Sequence, residues 1–357
     1  MKTYIKFLIT KFLASFANVF LIMLCLVFIL NILKEIEFLD NVDTNFWYPI
    51  YLSLLSSPSI IFEMFPFIFL LTTQFFFIKL FNNNEIQIFK YSGLRNSSIL
   101  KLLSFLSFFM GFLIITLFYN FSSTLQSHYL QLKNQFSKND EYLAVINKNG
   151  LWIKDMINDE ISIINSSKID KNFLTNTFIT SFDKNFDVIR NIKSEKIDIK
   201  NKKWIIHDAT VFENNASKKL ELFEFRSNFD LKRIESLFSN LSSLSILKLI
   251  DLRENYKSLN YSIVEVDMQI YKIISYPFYL TLMTILSAIT MFNTKRFKKT
   301  TFKITIGLFL SVIIYYIVNF FNVMGVTEKI SLMTAILSPI TILILANLLM
   351  INKINEK

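Results

Sequence analysis

Six apolar runs, each close to the length that crosses a bilayer, constrain this chain more than any motif in it. A hydrocarbon core of about 30 Å takes roughly 20 mostly apolar residues in a helix. Residues 7–33, 60–81, 99–121, 273–292, 302–321 and 332–351 meet that requirement. The first run is longer than a signal-peptide core, and no small-x-small cleavage site follows it, so it reads as a span. The second is preceded by an apolar approach over residues 46–57, whose Trp47, Tyr48 and Tyr51 suit a helix entering at headgroup level. Charged residues make up 18% of the chain, against about 25% in soluble domains. That excludes an ordinary soluble enzyme. The expected fold class is therefore an α-helical membrane bundle of six transmembrane helices, split three and three around a long insert.

The basic residues set the expected orientation, because lysine and arginine collect on the cytoplasmic side. One side holds Lys2, Lys6, Lys11, Lys79, Lys90, Arg95, Lys101, Lys295, Arg296, Lys298, Lys299, Lys303, Lys353 and Lys357, opposed by Glu85 and Glu356. The other holds Lys34 and Lys329 against Glu35, Glu37, Asp40, Asp43 and Glu328, with Lys272 at a span entrance. Both termini are thus expected in the cytoplasm and the insert on the far side. The formal charge of +10 is a topology signal, and no nucleic-acid partner is expected.

Residues 1–121 carry the first three spans, with a cytoplasmic loop at 82–98. Residues 122–267 form the soluble insert, and residues 268–357 carry the last three spans. The insert begins with a polar helical lead-in through His128, and then short β-like segments appear at 142–146, 151–154, 161–164, 173–182, 196–200, 204–212 and 220–225. Residues 147–150 and 200–202 are turn-like separators. Short strands at this spacing suggest a sandwich, jellyroll or partly open barrel. From Ile234 the period lengthens, and Leu244, Leu247, Ile250, Arg253 and Glu254 read as a helix leading to the fourth span.

Several chemistries are missing. A phosphate-binding loop needs closely spaced glycines followed by lysine, and Gly93, Gly111, Gly150, Gly307 and Gly325 have no such spacing. Any ATP hydrolysis belongs to another chain, and the protein is not expected to be an enzyme. Cys25 is the sole cysteine, and His128 and His207 lie far apart, so no cysteine- or histidine-based metal site is expected. His207-Asp208 reads as a surface strand-end pair in preference to part of a triad.

Three features stand out. Glu63 is an acid placed inside a span, within Pro58-Ser-Ile-Ile-Phe-Glu-Met-Phe-Pro66. Such a group is expensive in hydrocarbon unless it faces protein or water, so a functional role and an interfacial position both fit. Pro58 and Pro66 are tolerated where neighbours satisfy the carbonyls they free. Lys34 ends the first span where a lipid phosphate would pass, or where a lysine snorkels to the interface. In the loop after the second span, Glu85 to Tyr91 forms a short amphipathic helix, stopped by Ser92-Gly93. It is either a peg for a soluble partner or an interfacial helix held by Lys90 and Arg95 against anionic lipid.

The arrangement resembles the LptF/LptG family of lipopolysaccharide-export permeases over nearly the whole chain. The most specific matches are Glu85-Ile-Gln-Ile-Phe-Lys-Tyr-Ser-Gly93, like the family's Glu-x7-Gly coupling segment, and Gly150-Leu-Trp-Ile-Lys-Asp155, which looks more like the LptG branch. Weaker ones are Pro58 and Pro66, Pro277, Tyr315-Tyr316 and Pro339. The resemblance implies a bacterial inner-membrane subunit with a jellyroll-like periplasmic domain, paired with a second six-span permease on an LptB-like ATPase dimer. ATP-Mg is used by that ATPase, and no cofactor is bound by this chain. Lipopolysaccharide would enter through lateral gates formed by the first and fifth spans and pass to LptC- and LptA-like jellyroll proteins.

Carried over residue by residue, Glu85, Ile86, Phe89, Ser92, Gly93 and Arg95 couple to the ATPase. Lys34, Glu63, Tyr315 and Asn319 are the lipid-binding candidates. The family usually places a basic residue four positions before the fourth-span proline, whereas Ile273 stands there and Lys272 is one earlier. The loop after Lys34 also lacks the lysines some members carry. Two other classes compete: a mechanotransmitting subunit that couples an ATPase to a periplasmic partner without moving lipid, and an assembly scaffold. A secondary transporter ranks below both, as the spans show no ion-coupling relay and no repeat.

Overall fold

Five of the six apolar runs lie within longer helical stretches, and the sixth, 332–351, is a helix of that same length. The computed structural model describes residues 3–40, 45–136, 143–147, 150–157, 160–170, 172–184, 186–213, 216–231, 234, 241–258, 262–293 and 300–351. Lys2, Asp43, Tyr142, the turn residues 148 and 149, the basic run Lys295, Arg296, Lys298 and Lys299, and Lys353, Glu356 and Lys357 lie outside these. In chain order the helices are α1 (Thr3–Leu39), α2 (Trp47–Asn82), α3 (Glu85–Tyr91), α4 (Asn96–Leu113) and α5 (Asn120–Phe136). A π-helical segment, Ile114–Tyr119, joins α4 to α5. Strands β1 (Leu143–Asn147), β2 (Gly150–Ile157), β3 (Glu160–Asp170), β4 (Phe173–Phe182), β5 (Val188–Asp198), β6 (Lys203–Glu213) and β7 (Ala216–Arg226) follow. The chain then forms α6 (Ile246–Ser258), α7 (Val264–Asn293), α8 (Thr300–Val326) and α9 (Leu332–Ile351).

Among the described residues, six helices are long and apolar enough to cross a membrane. The first has 37 residues, about 55 Å at 1.5 Å per residue, so it outruns the hydrocarbon at its ends. The approach at residues 46–57 is the first part of α2 itself. Contacts divide the chain into two units, Met1–Tyr129 with Asp267–Lys357, and Leu130–Val266.

In the helical unit α2 and α7 form the centre: 56% of the apolar stretch of each is buried, against 22% for α1 and 17% for α8. Polar side chains tie the spans, since a hydroxyl or amide in hydrocarbon needs a partner and finds it on a neighbouring helix. Ser287 donates to the Leu70 carbonyl at 2.7 Å, Ser107 to Thr284 at 2.9 Å, and Asn31 to Ser56 at 3.0 Å. Asn347 donates to the Leu282 carbonyl at 3.2 Å. Small residues let backbones approach: a Cβ on Gly111 would lie 2.9 Å from the Pro277 Cα.

Among the described residues, the other unit holds a seven-stranded antiparallel sheet in sequential order. Strand alternation puts every second residue on one face. Register aligns Ile153, Ile164, Ile179, Ile192 and Val211 in one row across β2 to β6, and Leu174, Ile197, Ile206 and Phe223 in another across β4 to β7. These rows form the buried core together with Trp204, Phe229 and Ile234. The chain after β7 covers that face: the Trp204 indole donates to the Phe229 carbonyl at 2.7 Å, and the Leu231 amide to the Ile199 carbonyl at 2.9 Å. Buried Asp155 on β2 accepts from the Ser227 hydroxyl (2.7 Å), the Asn228 amide (3.0 Å) and the Asn228 side chain (2.9 Å). The bond network thus joins the end of β7 to β2. Every strand anticipated from sequence is present, but β5 begins at Val188, seven residues before the alternation over 195–200 becomes visible. His207 lies within β6, not at a strand end.

Candidate functional site

Two local devices shape the loop between α2 and α4. Asn84 takes a left-handed conformation (φ 56°) just before α3, and Gly93 another (φ 79°) just after it. At the latter end the Gly93 amide bonds the Lys90 carbonyl at 3.0 Å and the Leu94 amide the Phe89 carbonyl at 2.9 Å. This is a Schellman closure, and its φ > 0 position favours glycine. The result is a single short helix with two unlike faces.

The inward face is held by the start of α1. Ile86 is 2% exposed, in a cluster with Leu8, Phe12, Phe76 and Leu103. Phe89 meets Phe7 edge-on at 6.0 Å between ring centres. Glu85 accepts from the Lys11 ammonium at 2.5 Å and from the Asn83 side chain at 3.1 Å. The outward face carries Ile88, 60% exposed, and Tyr91, 89% exposed, with Ser92, Gly93 and Arg95 also exposed. The six residues named for coupling therefore divide: Glu85, Ile86 and Phe89 fasten α3, while Ser92, Gly93 and Arg95 lie on the exposed side. Sequence reading missed Ile88 and Tyr91. Ile86 and Phe89, like Ile88 and Tyr91, are three residues apart, so two apolar stripes compete and period alone does not say which is inward.

The lipid candidates are dispersed. Lys34 is exposed on α1, Glu63 on α2, and Tyr315 and Asn319 are exposed one turn apart on α8. None of the four bonds another among the described residues. Glu63 instead attracts Lys272 of α7. One residue from Glu63, the Phe62 ring stacks on Tyr276 at 4.7 Å, and the Tyr276 hydroxyl donates to the Phe62 carbonyl. Glu35, read from sequence as a loop acid, is buried and accepts from the Tyr129 hydroxyl at 2.7 Å.

The exposed faces of α1 and α8 carry Leu21, Ile22, Ile29, Phe309, Tyr315 and Phe320. They are apolar surfaces suited to acyl chains or to other spans. Compared with known protein families, the chain matches the family described as lipopolysaccharide export system permease LptF/LptG over residues 6–353.

The chain belongs to the LptF/LptG family.

No curated protein matches it. As an LptF/LptG permease it is a subunit of a lipopolysaccharide-export system, a multipass inner-membrane protein whose six apolar helices accompany a separate antiparallel β domain. Family membership makes it the permease component of an ABC transporter and a member of a membrane-embedded Lpt complex.

Proposed function

We propose that this LptF/LptG subunit converts ATP hydrolysis on a separate cytoplasmic ATPase dimer into extraction of lipopolysaccharide from the inner membrane. The observation that carries this reading is the two-faced α3, fastened inward through Ile86 and presenting Ile88 and Tyr91 outward. An exposed apolar pair on a rigid short helix suits insertion into a groove on a soluble partner. Both termini and α3 lie in the cytoplasm, as the basic residues favour, and residues 122–267 stand in the periplasm. α1 and α8, the two least enclosed of the long apolar helices, serve as lateral gates toward lipid or a second six-span permease. Lys34, Glu63, Tyr315 and Asn319 meet the lipid, with Lys272 joining Glu63. The β domain passes cargo to LptC- and LptA-like jellyroll partners.

Purification of the chain from its native membrane in mild detergent, with stoichiometric identification of what accompanies it, tests the reading. A soluble ATPase in two copies, one different six-span protein and bound lipopolysaccharide are expected. ATPase without lipid would favour a mechanotransmitter, and recovery of the chain alone would favour a scaffold.

A further inference from the structure

The Glu-x7-Gly segment begins with a carboxylate that sits at the start of a helix facing solvent, where an outside cation is its obvious partner. Its geometry says otherwise. Glu85 Oε1 is engaged by Lys11 at 2.5 Å and by the Asn83 side chain at 3.1 Å. Its other oxygen, Oε2, is enclosed and makes no hydrogen bond among the described residues. An incoming partner does not reach it without moving α3. Lys11 is itself placed, its ammonium lying 4.8 Å from the centre of the Phe7 ring, and Phe7 in turn meets Phe89. Glu85, Ile86 and Phe89 thus all face Phe7, Leu8, Lys11 and Phe12 of α1. The residues open to a partner are on the other face.

We infer that Glu85 is an internal tie joining the coupling helix to the first span, with Lys11 as its positioning residue, so that motion of α3 is delivered directly to α1. The inference rests on the proposal that α3 docks the ATPase, and it deepens that proposal by naming the route. A charge-assisted contact between the two elements resists sliding and rotation that apolar packing alone permits, because it holds one geometry. The ATPase reads Ile88 and Tyr91, and Glu85 transmits.

Charge exchange tests it. Lys11→Glu, Glu85→Lys and the double variant are made in the full chain. Amide hydrogen exchange over α3 is measured on the chain alone in lipid nanodiscs, and lipopolysaccharide released per ATP hydrolysed is measured on the purified complex. Each single variant is expected to speed α3 exchange about tenfold and to lower lipid released per ATP by a similar factor, with the double variant recovering both, as coupled neighbours do. A double variant as impaired as Glu85→Lys overturns the tie and assigns the carboxylate to an outside partner. Unchanged α3 exchange in the single variants overturns it too. A wild-type complex without an ATPase defeats the docking proposal, while the exchange measurement still decides the tie. Should Lys11→Glu fail to accumulate, Lys11→Met keeps the stem on Phe7 and reads the loss of charge alone.

Discussion

The Tyr276 hydroxyl donates to the carbonyl of Phe62, which lies four residues before Pro66. A proline has no N–H for that carbonyl, and in hydrocarbon no water replaces it. A tyrosine on α7 therefore completes a helix that α2 cannot complete by itself. Tyr276→Phe should cost about 1–3 kcal/mol, the range for leaving a buried acceptor unpaired. Pro66→Ala restores the missing N–H and should recover most of that loss in the double variant. Thermal unfolding in detergent checks both, and an additive double variant would show that the hydroxyl serves something else.

Asp155 should be the most sensitive polar residue of the β domain. Its carboxylate accepts three hydrogen bonds from Ser227 and Asn228. Asp155→Ala leaves those donors unpaired and should destabilise the domain by roughly 3 kcal/mol or more, given about 1.5–3 kcal/mol for each hydrogen bond to a charged group. Protease cleavage after β7 should become faster, and the fluorescence of Trp204, bonded to Phe229 in the same covering segment, should shift toward that of a solvated indole.

Two glycines should respond differently to the same added methyl. A Cβ on Gly307 would sit 1.9 Å from the Gln74 amide nitrogen, which otherwise donates to the Lys303 carbonyl at 3.0 Å. Gly307→Ala should displace that side chain, and Gln74→Ala in the same chain should relieve the clash. Gly111 instead faces the Pro277 backbone at 2.9 Å, so Gly111→Ala must part α4 from α7. No trimmed neighbour rescues it. Melting temperatures of the three variants separate these cases.

On α3 the faces should separate folding from docking. Ile86→Ala empties a site in a packed cluster and should destabilise the bundle by about 2–5 kcal/mol. Ile88→Ala and Tyr91→Ala remove only exposed surface. They should leave thermal stability unchanged while reducing ATPase retained on the purified permease, with Tyr91 weakening binding by about 2 kcal/mol if it is an interface anchor. ATPase retention at the wild-type level in both exposed variants would sink the docking face.

What could be read from the chain alone follows from local signals. Hydrophobic length marked the six spans, because about 30 Å of hydrocarbon sets a minimum run whatever the neighbours are. Alternation and turn residues marked the strands, and Ser92-Gly93 marked the end of α3. The signal failed where it was diluted: the first residues of β5, including Arg190, Asn191 and Lys193, show no clear alternation before Glu195, although Ile192 and Ser194 face inward.

Which face is inside was decided only in three dimensions. α3 carries two apolar stripes, and packing against Leu8 and Phe12 selected Ile86 for burial and left Ile88 outside. Lys11 and Glu85 are 74 residues apart, and Tyr276 and Phe62 are 214 apart. Glu35 looked like a loop acid and is buried against Tyr129. Such pairs obey no period, since a helix repeat fixes only neighbours on one helix. The sequence by itself determined how many elements cross and how long they are, because those depend on transfer of local surface from water. Only the tertiary structure decided the partners of buried polar groups, because a hydrogen bond or ion pair in a membrane exists only where two distant segments meet in the right geometry.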